Sequence, residues 1–543
     1  MKIIGLDFGT TNSTISYFNK ESGTLDSFKV RAGDADYIPT IVAYNKGKNN
    51  EVSIGKSAKA YITNKNYEAY EYFKLLLGKN ADKVIEGKTK TPTQVTHDFI
   101  KKLLDEYIAS QNIGKLGGIV MTVPATWFRE ESNITARENI EGIYKNLGYS
   151  DSEFQLESEP VGAATYFCWS YEQKQGKEYT GHITVIDYGG GTLDVTLCSA
   201  YNGKIEILEC YGYGEYNETN GCAGVAFDEA VIEKLISDKN LPFKKGDPKF
   251  IKLRNLFEER KITECDNITK YLKLYYNNPG NMEGESIFSL EYEYNDCEDT
   301  LEVCCEDLDQ CFNKVNAPKL RESLEQIKQF FSKHKVNSKS PEYFKVLLVG
   351  GFSNFCAVEK EVMESFDAKS RDNDKRFEQP FEIRNRALAI SKGAALIAAG
   401  EFDIVHTCRN SYGYVTYKIN ESDKSDELVE LYTPVIEKGI DIKKLDKPIF
   451  ADAKVRVNNK EGKLRIFIDD GRPNNAGRNR YALEESVKEL FPNVDDNDSE
   501  KWYQIGFSVS KREIPTIHIR DKHGLVTSTS LNKLIEKIGV SQQ

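Results

Sequence analysis

The sequence predicts a mixed α/β protein over residues 1 to about 400 and a mostly β region after it. Two observations support this division. Before residue 400, short apolar runs alternate with stretches of helical periodicity, which is typical of sheets covered by helices. After Gly400, apolar and polar residues alternate with period two between Asn, Gly and Pro, which is typical of an antiparallel sandwich. We therefore expect one domain over 1–400 and a second over 401–543.

Composition excludes several classes of protein. Of the 543 residues, 39% are hydrophobic and 29% are charged, and no run of ~18 apolar residues could span a bilayer. The excess of 84 acidic over 73 basic residues disfavours general binding to nucleic acid. The chain starts directly with an apolar strand, and its 11 cysteines form no CxxC pair. These features predict a cytoplasmic protein that binds neither nucleic acid nor membranes.

Periodicity predicts the elements in chain order. The predicted strands of the first region are Ile3–Phe8, 15–17, Gly118–Val123, 183–188, 195–198 and 346–349. The predicted helices of that region with the clearest apolar pattern are 96–111 and 387–399. In the second region we expect strands at 453–457, 464–468, 505–509 and 516–519, and a final helix at 530–538.

An internal near-repeat carries the chemistry. Each copy has an apolar strand, an aspartate, a glycine-rich turn with a hydroxyl residue, and a second strand. The first copy contains Asp7, Gly9, Thr10, Thr11 and Asn12, and the second contains Asp187, Gly189, Gly190, Gly191 and Thr192. Glycines let backbone N–H groups surround an anion, and aspartate oxygens suit Mg²⁺. One such turn is ordinary hairpin chemistry. Two of them after apolar strands predict paired phosphate-binding hairpins.

Two further sequence features bear on nucleotide binding. The chain contains no Gly-x4-Gly-Lys-Ser/Thr motif, which excludes a P-loop protein. A third glycine pair, Gly350 and Gly351, follows the apolar run 346–349. Bare backbone at that point could pack against a flat ring, although a simple strand-to-helix turn explains the same pattern.

With these motifs in place, residues 3–399 resemble the actin-like ATPase superfamily and, within it, the DnaK-like seventy-kilodalton heat-shock chaperones. The hairpins match the family's phosphate motifs, and 346–354 is similar to its adenosine motif. Segments 121–125 and 156–164 resemble its subdomain connections, and 73–79 resembles its lysine-bearing loop. The resemblance implies a two-lobed actin-like ATPase built from duplicated ribonuclease H-like domains. It also implies a mostly β C-terminal domain similar to a substrate-binding β-sandwich without a helical lid.

The resemblance assigns roles to individual residues. The implied catalytic residues are Asp7, Lys74, Glu159 and Asp187, with Asp7 and Asp187 also positioning Mg²⁺. The implied nucleotide-binding residues are Gly9, Thr10, Thr11, Asn12, Gly189, Gly190, Gly191, Thr192, Gly224, Glu258, Lys261, Gly350, Gly351, Phe352 and Asn354. The implied cofactors are ATP or ADP with Mg²⁺, and K⁺ is a further candidate.

Several positions depart from the family pattern. Asn354 stands where the family commonly carries an arginine that stacks on adenine, and an amide cannot stack in that way. Ala387 falls where an acidic residue is usual, and Asn133 stands near a usual arginine, whereas Pro124 of the family's switch is kept. The apolar interdomain linker is absent, and 402–405 is the nearest stretch. Segments 433–440 and 514–521 resemble the substrate domain faintly, and we expect a shortened substrate-like module without a helical lid.

The sequence favours an ATP-hydrolysing chaperone, of slow turnover, whose nucleotide state controls binding of unfolded or client polypeptide. A J-domain co-chaperone and a nucleotide exchange factor are the further partners that the resemblance implies. Two alternatives stay open at this point. One is a sugar-kinase-like phosphotransferase of the same superfamily, and the other is a nucleotide-gated scaffold or filament protein with little turnover.

Overall fold

The computed structural model describes residues 2–29, 36–47, 51–78, 82–129, 134–213, 221–282, 284–369, 373–377, 386–408, 410–419, 428–456, 463–474, 477–487, 491, 502–510 and 515–531. The chain divides into two compact units, the first comprising 1–127 and 135–404 and the second comprising 128–134 and 405–543. Within the described ranges, every helix is too short or too polar to cross a membrane.

The first unit contains strands β1 (Ile3–Phe8), β2 (Asn12–Asn19), β3 (Thr24–Ser27), β4 (Ile38–Pro39), β5 (Val42–Asn45), β6 (Glu51–Ile54), β7 (Tyr67–Tyr70), β8 (Gly118–Val123), β9 (Phe154–Ser158), β10 (Gly181–Tyr188), β11 (Leu193–Tyr201), β12 (Lys204–Tyr213), β13 (Ser286–Tyr294), β14 (Cys297–Cys304) and β15 (Phe344–Val349). The strand β16 (Asp403–Val405) follows where this unit ends. All six strands predicted before residue 400 are confirmed, several of them longer than the apolar pattern indicated.

The helices are α1 (Gly55–Lys59), α2 (Pro92–Ser110), α3 (Ala125–Arg129), α4 (Ile134–Asn146), α5 (Glu159–Gln175), α6 (Gly224–Asp238), α7 (Pro248–Thr263), α8 (Cys265–Asn277), α9 (Cys305–Val315), α10 (Ala317–Lys328), α11 (Cys356–Ser365) and α12 (Ala389–Ala398). Short 3₁₀ helices lie at Phe73–Leu76, Pro279–Asn281, Phe352–Asn354, Lys375–Phe377 and Ile442–Lys444. Both predicted helices are confirmed as α2 and α12. α2 starts four residues earlier than its apolar pattern, because Thr91 caps it and Pro92 suits its first turn.

Two sheets in the first unit repeat one topology. In the first sheet, of order β3-β2-β1-β8-β9 with β4 against β2, the antiparallel hairpin β1–β2 continues into β8, which lies parallel to β1. In the second sheet, of order β15-β10-β11-β12-β16, the hairpin β10–β11 continues into β15, which lies parallel to β10. The sequence repeat is therefore a repeat of structure. We refer to the parts built on these sheets as the first and second lobes.

Helices α5 and α12 lie between the two sheets. α12 packs on β1, β2 and β8, and α5 packs on β10, β11 and β12. The two helices cross at glycines, where a Cβ atom added to Gly393 would lie 1.7 Å from the carbonyl oxygen of Gly162. No larger residue fits at Gly393 without separating the helices. α10 covers the opposite face of the second sheet, so that sheet is covered on both faces as the alternating pattern predicted.

The second unit contains two four-stranded antiparallel sheets. Their strands are β17 (Ser411–Ile419), β18 (Leu428–Ile436), β19 (Ile449–Arg456), β20 (Lys463–Asn474), β21 (Gly477–Ser486), β22 (Trp502–Val509), β23 (Pro515–Arg520) and β24 (Val526–Ser530). One sheet has the order β18-β17-β20-β21 and the other β19-β22-β23-β24. A shared apolar core that includes Tyr414, Ile466, Phe507 and Ile517 joins residues of both sheets.

The outcome for the second region is mixed. Its four predicted strands are confirmed as parts of β19, β20, β22 and β23, although Val457 lies outside the described residues. The predicted final helix is not seen where it should begin, because Ser530 is the last residue of β24. The rest of that prediction, from residue 532 onward, lies outside the described residues, as do Asn133 and Lys79.

Candidate active site

The two glycine-rich turns touch each other. A Cβ atom added to Gly190 would lie 2.2 Å from Thr11 Cγ2, and one added to Gly191 would lie 2.5 Å from Thr10 Cγ2. Such distances leave no room for any side chain, so the hairpins approach closely only because the second turn is bare backbone. The structure therefore brings together the two phosphate-binding motifs that lie about 180 residues apart in the sequence.

The backbone is tightly folded in both turns. In the second turn, the Gly189 amide donates to the Thr192 carbonyl over 3.1 Å. In the first, Gly9 lies so close to Asn12 that an added Cβ would lie 2.1 Å from the Asn12 carbonyl oxygen. Asn12, predicted in the turn, is already the first residue of β2. The tight turns leave several amides near one another, which suits an anion.

Acidic side chains converge beside the turns. This acidic cluster consists of Asp7, Glu159, Asp187 and Asp194, all of them buried. Burial and, after it, the negative charge of Glu159 raise the pKa of Asp7 to about 7, although the charge of Lys74 opposes both. Burial also raises the pKa of Asp187 well above its ordinary value, with added repulsion from Glu159 and Asp194. The carboxylates outnumber the cation beside them, and the cluster therefore favours a further positive charge.

Lys74 is the cation that faces this cluster. It lies on the 3₁₀ helix Phe73–Leu76 and is 2% exposed. Its Nζ donates to Glu159 Oε1 over 2.8 Å and to the carbonyl of Phe8, the last residue of β1. Glu159 is the first residue of α5, where the helix dipole also favours a negative charge. The lysine loop, the first hairpin and the start of α5 are thereby tied together at one ammonium group.

The glycine pair after β15 contacts the same cluster. Gly350 has φ +81°, and an added Cβ would lie 2.5 Å from Asp187 Oδ1. From the other side, the amide of Gly224 at the start of α6 donates to the carbonyl of Gly189 over 3.1 Å. Gly351 is exposed, and no atom outside its neighbours lies within 4 Å of its added Cβ. The structure thus places Gly224 and Gly350 directly beside the second turn.

Phe352 and Asn354 lie on the short helix after this glycine pair. The Phe352 ring packs inside the second lobe, 5.0 Å from the Tyr188 ring and 5.3 Å from the Phe227 ring. The Asn354 carbonyl accepts from Cys265 Sγ over 3.8 Å, and its side-chain Oδ1 is buried without a hydrogen-bond partner among the described residues. The loop is held from within the second lobe by Arg386, which donates to the Ser353 carbonyl over 3.1 Å.

Glu258 and Lys261 lie on α7 and are engaged within the protein. Glu258 Oε2 lies 2.5 Å from the Nζ of Lys59 on α1, and Lys261 donates to Asp228 on α6. Burial opposes the ionisation of Glu258, but the charges of the neighbouring cations outweigh it, so its pKa lies below the ordinary range. Their predicted role toward the nucleotide stays a prediction.

The sequence analysis missed Asp194 as a member of the site. Asp194 is the Cα partner of Asp187 across the β10–β11 hairpin, so both side chains project from the same face of the sheet. In the first hairpin the corresponding partner of Asp7 is Thr14, whose hydroxyl is buried without a hydrogen-bond partner among the described residues. The register of each predicted hairpin could have identified Asp194, because the residue opposite each aspartate can be found by counting across the turn. Thr122 was also missed, and its Oγ1 donates to Asp7 Oδ1 over 3.3 Å.

The residues present fit a nucleotide held with Mg²⁺. The glycine turns form a cradle that any Cβ atom would fill, and the buried acidic cluster beside them faces the ammonium of Lys74. In the described part of the chain, no group of three His, Cys, Asp or Glu residues converges tightly enough to hold a metal by itself. A site with one or two carboxylates suits the coordination preference of Mg²⁺, which usually keeps several waters and binds phosphate oxygens as well.

Comparisons with known proteins agree with this geometry. The family model described as "Hsp70 protein" matches residues 3–399. The chain is 30% identical over 238 residues to "Chaperone protein DnaK" of Mycoplasmopsis pulmonis, covering 44% of this chain and 35% of that protein. It is 27% identical over 409 residues to the DnaK of Mycoplasma mycoides, covering 74% and 60%, and 24% identical over 404 residues to that of Thermosipho africanus, covering 73% and 58%. The chain thus spans 60% or less of these curated relatives.

Proposed function

Because this chain belongs to the Hsp70 family, we propose that it binds ATP with Mg²⁺ between its two lobes and hydrolyses it slowly. Members of this family are two-lobed actin-like ATPases followed by a β domain. The observation that carries the proposal for this chain is the buried Lys74–Glu159 pair beside the contact of the two glycine turns. Both groups lie where the phosphate chain would end.

Each turn contributes to phosphate binding in this proposal. Backbone amides of the two turns surround the phosphate oxygens, and the hydroxyls of Thr10, Thr11 and Thr192 donate to them. A bound Mg²⁺, positioned by Asp7 and Asp187, supplies positive charge that offsets the phosphates and the acidic cluster. In this proposal Gly350 and Gly351 let the backbone approach the adenosine, while the Phe352 ring supports this loop from the core of the second lobe.

Lys74 and Glu159 act on the reacting groups. Lys74 is fixed by two acceptors, so its ammonium is already oriented when the terminal phosphate arrives. Such preorganised charge stabilises the charge that develops on phosphate oxygens in the transition state. Glu159 accepts from Lys74 through Oε1 and is proposed to orient the attacking water. Both roles explain why these charged side chains are kept in a buried position that costs stability.

We further propose that the C-terminal region, predicted from the sequence as a domain over 401–543, binds unfolded or client polypeptide under control of the nucleotide. Support comes from the segment that joins the two units. The segment 402–405, which is the part of the sequence most similar to the family's interdomain linker, contains β16. This strand extends the second sheet beside β12. The Asp403 amide donates to the Gly203 carbonyl over 3.2 Å, and the Ile404 side chain is buried. A strand that adds to the sheet edge can transmit a change in lobe closure.

Steady-state turnover of the full chain tests the ATPase. We expect release of ADP and phosphate without any sugar, and loss of that release in Asp187→Asn and Lys74→Ala. Arg260→Gln is the matched control, since the Arg260 side chain is 43% exposed and its ion pair is with Glu264, the residue that follows α7. Turnover that persists in Asp187→Asn would contradict the proposal, and turnover that requires a sugar would favour the phosphotransferase. Sedimentation of the ATP-bound protein as polymer would favour the scaffold.

A further inference from the structure

An ion pair between a buried arginine and a half-buried glutamate crosses from α7 to the turn that precedes Lys74. Arg254 Nη2 donates to Glu71 Oε1 over 2.8 Å and to Oε2 over 3.0 Å. The Arg254 side chain is 8% exposed and that of Glu71 is 16% exposed. Hydrogen bonds from a guanidinium to both oxygens of a shielded carboxylate are strong and specific in geometry.

The two partners belong to different lobes. On α7, the neighbouring residues Leu253 and Phe257 lie in the core of the second lobe with Ile186. On the other side, the Phe73 ring lies 6.2 Å from the Phe8 ring, in the core of the first lobe. Arg254 therefore reaches across the cleft to the chain segment that holds Lys74.

The turn itself has an unusual backbone. Tyr72 has φ 57°, a left-handed conformation that is unfavourable for a residue with a Cβ atom and persists only where the surroundings hold it. The Arg254 guanidinium carbon lies 5.4 Å from the centre of the Tyr72 ring, within range of a cation–π interaction. Arg254 thus contacts both residues on which the entry into the 3₁₀ helix Phe73–Leu76 depends.

We propose that Arg254 is a positioning residue that, from the second lobe, holds the Glu71–Tyr72 turn and thereby fixes the ammonium of Lys74. Closure of the lobes sets the turn, and separation of the lobes releases it. Lys74 is therefore fully oriented only in the closed protein. The catalytic consequence rests on the proposed ATPase, but the order of the turn can be measured without turnover.

A second ion pair between the lobes differs from the Arg254–Glu71 pair in its position relative to Lys74. Lys59 on α1 pairs with Glu258 of α7, so it also joins the lobes. Lys59 lies 15 positions before Lys74 in the sequence and does not belong to its turn. Arg254, in contrast, binds the two residues that immediately precede the helix carrying Lys74. Of these two pairs, the Arg254 pair is the one that contacts the turn from which the helix of Lys74 begins.

Hydrogen exchange of the full chain tests the proposal. The reporters are the Leu75 amide, bonded to the Tyr72 carbonyl over 3.0 Å, and the Leu77 amide, bonded to the Lys74 carbonyl over 3.2 Å. We expect both amides to exchange at least tenfold faster in Arg254→Gln than in wild type. The exchange rates of Arg254→Lys should lie between those of Arg254→Gln and wild type, because lysine keeps the charge but lacks the planar guanidinium. Arg260→Gln on the same helix is the control and should match wild type. Exchange in Arg254→Gln within twofold of wild type would overturn the proposal.

Kinetics separate positioning from general destabilisation. We expect kcat of Arg254→Gln to fall at least tenfold with KM within threefold of wild type, since the phosphate turns are untouched. If Arg254→Gln does not fold, Glu71→Gln replaces it, because it weakens the same pair and keeps the shape of the side chain. If the wild-type protein lacks turnover but Arg254→Gln still exchanges faster than wild type, the ATPase proposal fails and the positioning role stands. Turnover with unchanged exchange would do the reverse.

Discussion

The Nζ atom of Lys74 lies 2.8 Å from Glu159 Oε1, and the two side chains are 3% and 6% exposed. A buried ion pair is poor evidence of a stabilising design, because removing two charges from water costs about as much as their attraction returns. Here the pair sits where the glycine turns of both lobes meet. Its position is better explained by chemistry on a bound anion than by stability.

The first prediction follows from this burial. Lys74→Met should lower the free energy of unfolding by about 3 kcal/mol, because it leaves the Glu159 carboxylate buried without its cation. The double variant Lys74→Met/Glu159→Gln should recover most of that loss while remaining inactive toward ATP. Chemical denaturation of the full chain, followed by a signal from the first unit, measures the free energy of unfolding of both variants. A single variant as stable as wild type would contradict this account of the ion pair.

The second prediction concerns the contact of the two turns. Gly190→Ala should weaken binding of ADP with Mg²⁺ at least tenfold, because the added Cβ, 2.2 Å from Thr11 Cγ2, separates the hairpins. Removing the obstructing atoms with Thr11→Ala in the same chain should restore part of the affinity. Isothermal titration gives the affinities.

A matched glycine substitution controls for that experiment. Gly142 on α4 has no atom within 4 Å of an added Cβ and no positive φ. Gly142→Ala should therefore bind nucleotide as wild type does and be more stable by ~0.5–1 kcal/mol, as expected for alanine in a helix. If Gly190→Ala and Gly142→Ala bind ADP with Mg²⁺ equally well, nucleotide binding does not depend on the close contact of the two turns.

Local sequence patterns predicted the elements well because their causes are local. The apolar run Gly118–Val123 is a strand with the same bounds in the structure, and the hairpin of Asp187 closes at the glycines that predicted it. A short run of apolar residues and a turn residue contain the information for these elements. The repeat of Asp7 and Asp187 likewise pointed to one shared site.

Partnerships across the cleft were not predictable in the same way. Glu71 and Arg254 are 183 positions apart, and each alone is an ordinary charged residue of a polar segment. Only the packing of two lobes makes them neighbours. Phe352 is a further case, since its motif predicts a nucleotide contact, which stays a prediction, and did not indicate that its ring packs in the core of the second lobe. Tertiary packing decides such outcomes, and a single sequence records it only indirectly.

The third prediction is a pH dependence. Burial raises the pKa of Asp228 to about 6, although Lys261 lowers it in part. Between about pH 4 and pH 6 the folded protein keeps a proton that the unfolded chain has released, so stability must fall as the pH rises through this window and level off above it. A shift of this size corresponds to on the order of 3 kcal/mol. Asp228→Asn should remove this part of the slope when unfolding is measured from pH 4 to pH 7. An unchanged slope would mean that Asp228 is ionised throughout.

The last prediction concerns β16 and the coupling of the two units. Ile404 is 7% exposed and packs in a core with Ile183 and Leu347 of the second sheet, so Ile404→Asp should release the strand from β12. Proteolysis near residues 400–408 should then become faster, because an edge strand without its apolar anchor is open to cleavage. ATP should no longer change the affinity of the full chain for an unfolded peptide, while its basal turnover persists. Lys204→Gln, which removes an exposed partner 4.0 Å from Asp403, is the control and should keep the ATP effect. An ATP effect that survives in Ile404→Asp would mean that coupling runs by a route other than β16.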